Sequence, residues 1–480
     1  MRKTKFQIAG PARKGLDAMA GLARLFCCLL VVCAVLIVSG ESSVAGAATI
    51  AVDDNHDYTN IEVVSDTDAY GCTLRKALQN ANDGAQTYTD CDTGSAGADI
   101  IAFGSVTADF QQGTMGTLNV NKDITITADA SKKFIGIPGG TEIFKVTGAS
   151  AKLTMDGFTL QDASNGAVTL FNQASFSMNG GTFENNESNS GGAIGGTGTV
   201  SLNAVHFTGN TANSGDGGAI ALSNNGGASS ITNSWFDGNI AFNSGGAINY
   251  SGASSGPLTI TNTLFGGVSA NTAHANGGAP DGGGAIFSSA NGLLSQVSIV
   301  NCSFINNTVD GTDGRGGAIF NAPTSGLPMV VLHSIFGIDS MITGNTVSGG
   351  ADGMGGAIYT RGNIVVLEST FIGNDAGSGK GGAIASDAPV PNITDPWPLL
   401  AALAGYLANP IVVPSWPADT GAIVGNSTIY SNSADQGGAV YSFGSNREIS
   451  LINVTMASNS ASSANGGGGI YNTGTGTVRL

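Results

Sequence analysis

Charge is scarce in this chain. Of its 480 residues only 11% are charged, and 18 Lys and Arg face 34 Asp and Glu, a formal net charge of −16. An acidic surface with so few cations repels phosphate backbones, which argues against a nucleic-acid partner. Long apolar runs are missing after residue 48, so no later segment is fit to cross a membrane as a helix. The usual helix formers give way to 74 glycines. Glycine costs roughly 1 kcal/mol at each helix position, so a mainly helical protein is excluded. Cysteine is sparse too, six in all, and Cys27, Cys28 and Cys33 fall within the first 47 residues.

Those first 47 residues hold the one long apolar run, "LFCCLLVVCAVLIV" at 25–38. Basic residues at 2, 3, 5, 13, 14 and 24 precede it, and Ala45-Gly46-Ala47 follows. A positive region, a short apolar core and small residues at a cleavage point read as an export signal over 1–47. An uncleaved anchor is the rival reading. Removing the segment leaves 12 basic and 32 acidic residues, a net charge of −20. Cys72, Cys91 and Cys302 then enter a compartment that permits disulfides.

What the chain has in place of charge and helix is repetition. Gly-Gly-Ala-Ile starts at 191, 217, 245, 283, 316, 355 and 381, with Gly-Gly-Ala-Val at 437 and Gly-Gly-Gly-Ile at 467. A second phrase interleaves with it: "FENN" at 183, "FTGN" at 207, "FDGN" at 236, "FINN" at 304, "FIGN" at 371, "IYSN" at 429 and "MASN" at 456. Between them lie short runs of alternating polarity, such as "TVSLNAVHF" (199–207) and "REISLINVTM" (447–456). Alternation of period two marks strands. No unit is long enough to bury its own apolar face, so the units must stack in parallel and share one interior.

The expected fold is therefore all-β, a right-handed parallel β-helix of the pectin-lyase-like solenoid type. Leu202, Phe207, Leu451 and Met456 point inward; Asn210, Asn239, Asn307, Asn374 and Asn459 stack at turns; each Gly pair marks a crowded corner. About a dozen coils fit from residue 117 onward, a rod roughly 60 Å long at about 4.8 Å per coil. Steps of 26 to 56 residues between Gly pairs do not suit a propeller or an antiparallel sandwich. The longest step holds an insertion at 388–421 with seven of the 13 prolines and two of the three tryptophans, Trp397 and Trp416. We read it as folding back on its scaffold, with contact to a partner or a lipid surface as the alternative. The chain ends within a coil, which reads as a truncated last turn.

The exposed first coil needs a cover. Residues 48–116 supply an N-terminal strand and a capping region, in which "TLRKALQNAN" places Leu74, Ala77, Leu78 and Ala81 on one helix face. A bridge from Cys72 to Cys91, 19 residues on, would staple this helix to the following loop and add about 3 kcal/mol in the chain-entropy model. The stretch "GCTLRKALQNAN", with Cys91 and "GSAGADIIAF", resembles the CSLREA-type domain that begins many secreted bacterial β-helix proteins, with Thr73 for Ser and Lys76 for Glu. The Gly-Gly-Ala-Ile and Phe-x-x-Asn phrases are similar to the repeats of chlamydial polymorphic outer membrane proteins. These resemblances imply an extracellular or outer-membrane location in a Gram-negative bacterium, with outer-membrane association through a C-terminal region that this sequence lacks.

Signs of chemistry are few. "GASSG" (252–256) has no following helix to make a nucleophile elbow, and "GSGKG" (377–381) departs from a phosphate loop at both ends. His56, His206, His274 and His333 lack metal-ligand spacing; His206 and His333 fall on expected strands with solvated rings. Cys302 is a small apolar filler or an unpaired surface thiol. Asp216, Asp281, Asp313, Asp352 and Asp435 each precede a Gly pair by one to three residues, with Arg315, Arg361 and Lys380 nearby. Stacked, they would form a carboxylate row able to bind Ca²⁺ or to handle sugar protons, or merely a solvated turn. The expectation is no catalytic residue, no resident metal and no cofactor. The leading reading is an adhesin-like protein that meets host or environmental glycans or surface proteins. The alternatives are a polysaccharide lyase or glycoside hydrolase, which many β-helices resemble, and a purely structural spacer.

Overall fold

Short alternating segments bounded by Gly and Asn build three parallel sheets wound around one interior. The structure is a computed structural model describing residues 47–54 and 71–480, apart from 104–105, 107–108, 114–115, 129–131, 224–226, 253–255, 277–280, 292–295, 324–326, 339–343, 388–420, 445–447, 474 and 476. The expected export signal, His56 and nearly all of the insertion thus lie outside the described residues. Face one carries 14 strands from Ala48–Val52 to Thr477–Arg479. Face two carries 12 from Leu118–Val120 to Ile470–Asn472, and face three 12 from Phe110–Gln111 to Thr455–Ala457. Pairing is parallel throughout, each strand meeting its counterpart in the next coil. The fold is a right-handed parallel β-helix. Its first rungs begin earlier than residue 117, because Ala48–Val52 and Asp99–Phe103 already belong to face one.

A narrow fourth sheet joins faces three and two. It has six two-residue strands from Glu187–Ser188 to Thr346–Val347, continued through bridges at Asp375 to Ser433–Ala434 and Ser460–Ala461. Just before it, one asparagine per coil turns inward. Asn186, Asn210, Asn239, Asn271, Asn307, Asn345, Asn374, Asn432 and Asn459 form an unbroken ladder. Asn210 shows the unit. Its Nδ2 donates to Asn239 Oδ1 at 2.9 Å and to the Phe183 carbonyl at 3.0 Å. Its Oδ1 accepts from the Asn186 backbone N–H and Nδ2 at 3.1 and 2.9 Å. Both amide hydrogens and both lone pairs are used, so a fully buried amide costs nothing in lost hydration.

The phenylalanine that precedes each ladder asparagine from Asn186 to Asn374 stacks likewise. Phe183, Phe207, Phe236, Phe265, Phe304, Phe336 and Phe371 lie 4.6 to 4.9 Å apart with rings within 10° of parallel. That separation is the coil spacing itself. Leu202, Phe207 and Leu451 face the core as expected, whereas Met456, in the last coil, is only partly buried.

Left-handed residues make the corners. Between faces one and three sit Gly157, Gly180, Ala204, Asn233, Asn262, Asn301, His333, Glu368, Asn426 and Asn453, all with positive φ. At the Gly pair the two glycines serve different needs. Gly245 adopts φ +67°, and a Cβ on Gly246 would sit 2.1 Å from the Gly284 carbonyl of the next coil. Ala247 and Ile248 then turn into the core.

At the amino end the helix Leu74–Asp83 buries Leu74, Ala77, Leu78 and Ala81 in the same core as Ile50, Ile101 and Val120. The Thr73 hydroxyl caps its first turn by accepting the Lys76 N–H, and left-handed Gly84 ends it. Arg75 donates to the carbonyls of Gly116 and Thr117 at 2.8 and 2.9 Å, tying the helix to the first coils. Cys72 and Cys91 are joined by a disulfide. Lys76, buried on the helix, pairs with Asp90 in the stapled loop at 2.5 Å.

Asn239→Ala leaves the Asn210 N–H and one of its two Nδ2 hydrogens without an acceptor in the core. It is expected to cost roughly 2–5 kcal/mol in urea unfolding, while Asn459→Ala, in the half-exposed last coil, costs under about 1. Equal losses would show that the ladder is not the source of stability. Likewise Gly373→Ala, at φ +63° with nothing within 4 Å of the new Cβ, should cost about 1–2 kcal/mol. Gly246→Ala meets backbone and should cost more than about 3 kcal/mol, read by the same titration.

Candidate functional site

The five aspartates do not form a row. The position just before the Gly pair is occupied in successive coils by Gly282, Arg315, Met354, Lys380 and Gln436, which bridge one to the next. Asp216 occupies that position in its own coil, but Asp281 and Asp435 lie one residue further back and Asp313 and Asp352 two further. The turns leading to the Gly pair differ in length, so equal sequence distance does not give equal register. Only Asp216 and Asp281 come together. The Ser244 N–H donates to Asp216 at 3.0 Å, and the Ser244 hydroxyl donates to Asp281 at 3.4 Å. Asp352 lies 4.0 Å from Lys380, and Asp435 accepts from Ser462 at 2.9 Å. Among the described residues no group of three or more His, Cys, Asp or Glu is placed to hold a metal ion.

The three cations named with the row have other work. Arg315 lies over the Tyr359 ring at 5.0 Å and Lys380 over the Tyr441 ring at 5.9 Å. Burial pushes the Tyr359 hydroxyl pKa up, and the charges of Arg315 and Arg361 offset part of the rise.

His206 is exposed on the strand His206–Thr208, edge-on to Trp235 at 5.6 Å. His333 is not on a strand. It takes the left-handed corner that Asn fills in other coils, and its Nδ1 is 2.9 Å from Glu368 at the same corner one coil on. His274 pairs with Asp310 at 2.7 Å, again one coil apart.

Cys302 is buried, not a surface thiol. It belongs to a row of small polar residues just before face three: Ser234, Thr263, Cys302, Ser334, Ser369 and Ser427. Five of these side chains accept the backbone N–H of the preceding member or its equivalent, as Ser334 does from Cys302 at 3.3 Å. Burial pushes the thiol pKa up to about 12, so no thiolate forms at neutral pH.

A surface that single-coil reading missed is the outside of face one. Its register stacks Thr125, Thr154, Ser177, Ser201, Ser230, Thr259 and Ser298 outward, one per coil. Beside them run Asp156, Asn179, Asn203, Thr232 and Thr261. Asn203 donates to Asn179 at 2.6 Å, and Thr232 donates to Asn203 at 3.0 Å. Ser298 is buried, so six accessible hydroxyls at the coil spacing make a hydrogen-bonding strip about 24 Å long. Such a strip suits a partner rich in hydroxyl groups. It offers no nucleophile with an adjacent base.

With this geometry in view, comparison with known proteins adds one match. Residues 301–322 fit the Chlamydia polymorphic membrane protein (Chlamydia_PMP) repeat. The matched stretch runs through the strand Ser303–Ile305, ladder residue Asn307, the pair Gly316-Gly317 and the strand Ile319–Asn321. It is therefore the part of a coil that sets corners and stacking. Nothing matches the chain among curated proteins or among solved structures.

The Asp216 carboxyl is held above the usual range by burial; the Ser244 N–H lowers it and the Asp281 charge raises it. A raised folded value makes the neutral acid the better-folded form. Its contribution is full below the ordinary carboxylate range and is lost as pH rises through the folded value. Asp216→Asn keeps an acceptor for Ser244 and removes the charge. The variant is expected to melt higher than the parent at pH 7, with the difference closing near about pH 4 and below. A parent that melts higher at pH 7 would show that the charged form is the stabilised one.

Proposed function

We propose that the protein is an exported, surface-associated β-helix that works by adhesion, meeting glycans or surface proteins of a host or of its surroundings along the outside of face one. The observation that carries this reading is the polymorphic membrane protein repeat lying within a long rod of like coils. The hydroxyl strip supplies the chemistry. Each Ser, Thr or Asn contributes a weak, directional contact, and repetition at a fixed spacing lets many act together. The reading includes no catalysis, resident metal or cofactor. Neutral hydroxyls distinguish it from a lyase, which needs a base beside a cation where the sugar proton leaves.

The test uses residues 48–480 with Ser177, Ser201 and Ser230 changed together to Val. The fold already accepts Val at this row, as Val330 and Val365 show. The melting temperature should stay within about 3 °C of the parent's. Binding to cell surfaces and to a neutral and acidic glycan panel should fall at least tenfold. Parent and variant binding alike would remove face one as the adhesive surface. Release of unsaturated oligosaccharides from an acidic polysaccharide would replace adhesion with lyase activity.

A further inference from the structure

Face three carries an aromatic patch that the hydroxyl strip does not include. Its outward row nearest face one runs through Thr182, His206, Trp235 and Leu264, and the row beside it through Glu184, Thr208 and Asp237. The phenylalanines between these residues face the core, so both rows stand on the solvent side of the sheet. Trp235, the one tryptophan among the described residues, is partly exposed. Its indole reaches across to the next coil, where Nε1 donates to the Gly266 carbonyl at 3.0 Å. The passage from Phe265 to Asn271 forms the far edge of the patch. There the Ser269 N–H donates to Asp237 Oδ1 at 3.0 Å, and Val268 stands 89% exposed. A Cβ on Gly267 would lie 3.8 Å from Asp237 Oδ1 and 3.9 Å from the indole Nε1 and Cζ2. Carboxylate and ring therefore converge on one point, and backbone groups of the same loop hold both.

Among the described residues no cation meets this patch. Elsewhere the chain sets its few basic side chains over rings: Lys145 over Phe171 at 4.7 Å, Arg315 over Tyr359 and Lys380 over Tyr441. Indole attracts cations more strongly than either of those rings, yet Trp235 carries none. Glu184 and Asp237 enter no ion pair there either. Lys133, the lysine of the same row, gives its ammonium to Gln161 at 3.1 Å. The indole N–H is spent on Gly266, so the ring has only its face to offer, and Asp237 keeps Oδ2 for a donor. We infer that Trp235 and Asp237, flanked by Glu184, form a binding site for an arginine side chain presented by a partner protein. A guanidinium can lie flat on the indole while N–H groups at its edge reach the carboxylate, which a compact ammonium does less well. The methylene stem of that arginine would meet Val268. The acidic chain as a whole draws such a partner in. This site goes beyond the neutral strip of face one, because it selects by charge and uses other residues.

The probe is a labelled peptide of alternating serine and arginine, compared with the same peptide carrying citrulline, which keeps the shape of arginine without its charge. Anisotropy titrations use residues 48–480 at about 50 mM salt, where exposed charges are weakly screened. The parent should bind the arginine peptide at least tenfold more tightly than the citrulline peptide. Asp237→Asn keeps an acceptor for Ser269 and removes the charge. Trp235→Leu places at this row the residue that the next coil already carries in Leu264. Each variant should weaken the arginine peptide at least fivefold, with a melting temperature within about 3 °C of the parent's. Asp313→Asn, an equal change of charge on an exposed turn residue, should leave binding unchanged. Equal losses in Asp313→Asn and Asp237→Asn would reduce the attraction to the general charge of the chain and overturn the inference. So would equal binding of the two peptides, or displacement of the arginine peptide by the neutral sugar maltotetraose, since the ring would then be a sugar platform. The triple serine-to-valine variant of face one should bind the peptide as the parent does, which keeps a loss of adhesion there distinct from a loss of arginine binding here. Loss of the peptide in that variant would place the site on face one and sink the proposal.

Discussion

Parallel hydrogen bonding between successive coils is the constraint on which everything else in this molecule rests. A coil of some 26 residues cannot hold itself together, because its strands are only two to five residues long and none can bury its own apolar face alone. Its backbone groups are satisfied only by the coil before and the coil after. Identical or near-identical residues must then meet at the coil spacing, and each row of the structure is a solution to that meeting. Asparagine succeeds because its amide both donates and accepts along the axis. Phenylalanine succeeds because flat rings stack at the distance that the backbone imposes. Glycine succeeds where any Cβ would enter the neighbouring carbonyl.

The same constraint explains what could be read in advance and what could not. The Gly pairs, the phenylalanines and most of the ladder asparagines stood out because their local wording is fixed. Asn271 and Asn345 did not, since they follow Phe265 and Phe336 by six and nine residues instead of three. The structure absorbs those extra residues and returns both asparagines to the ladder. A search for the missing rung, rather than for the phrase, would have found them. The row of Ser234, Thr263, Cys302 and Ser334 was hidden by its mixed chemistry, although each follows a left-handed corner residue directly. That context is what turns Cys302 from an oddity into a serine substitute.

The aspartates failed for the opposite reason. They looked alike along the chain, all close before a Gly pair, but the turns in which they lie are of unequal length. Distance along the chain measures position in space only where the intervening backbone is regular. The outward rows of face one followed no short phrase at all. They emerge only when strands are aligned across coils, where a polar row and an apolar row prove to be one line.

One corner never varies. From Gly157 to Asn453, each passage from face one to face three uses two residues, the first of them left-handed. Insertions enter elsewhere, at the Gly-pair turn, beside the asparagine ladder and at the join from face two to face one. The gene can therefore gain or lose codons along those edges while the plate made by faces one and three keeps its geometry. Drift in length and novelty in sequence accumulate on one side of the molecule, and the opposite side is held to a single gauge.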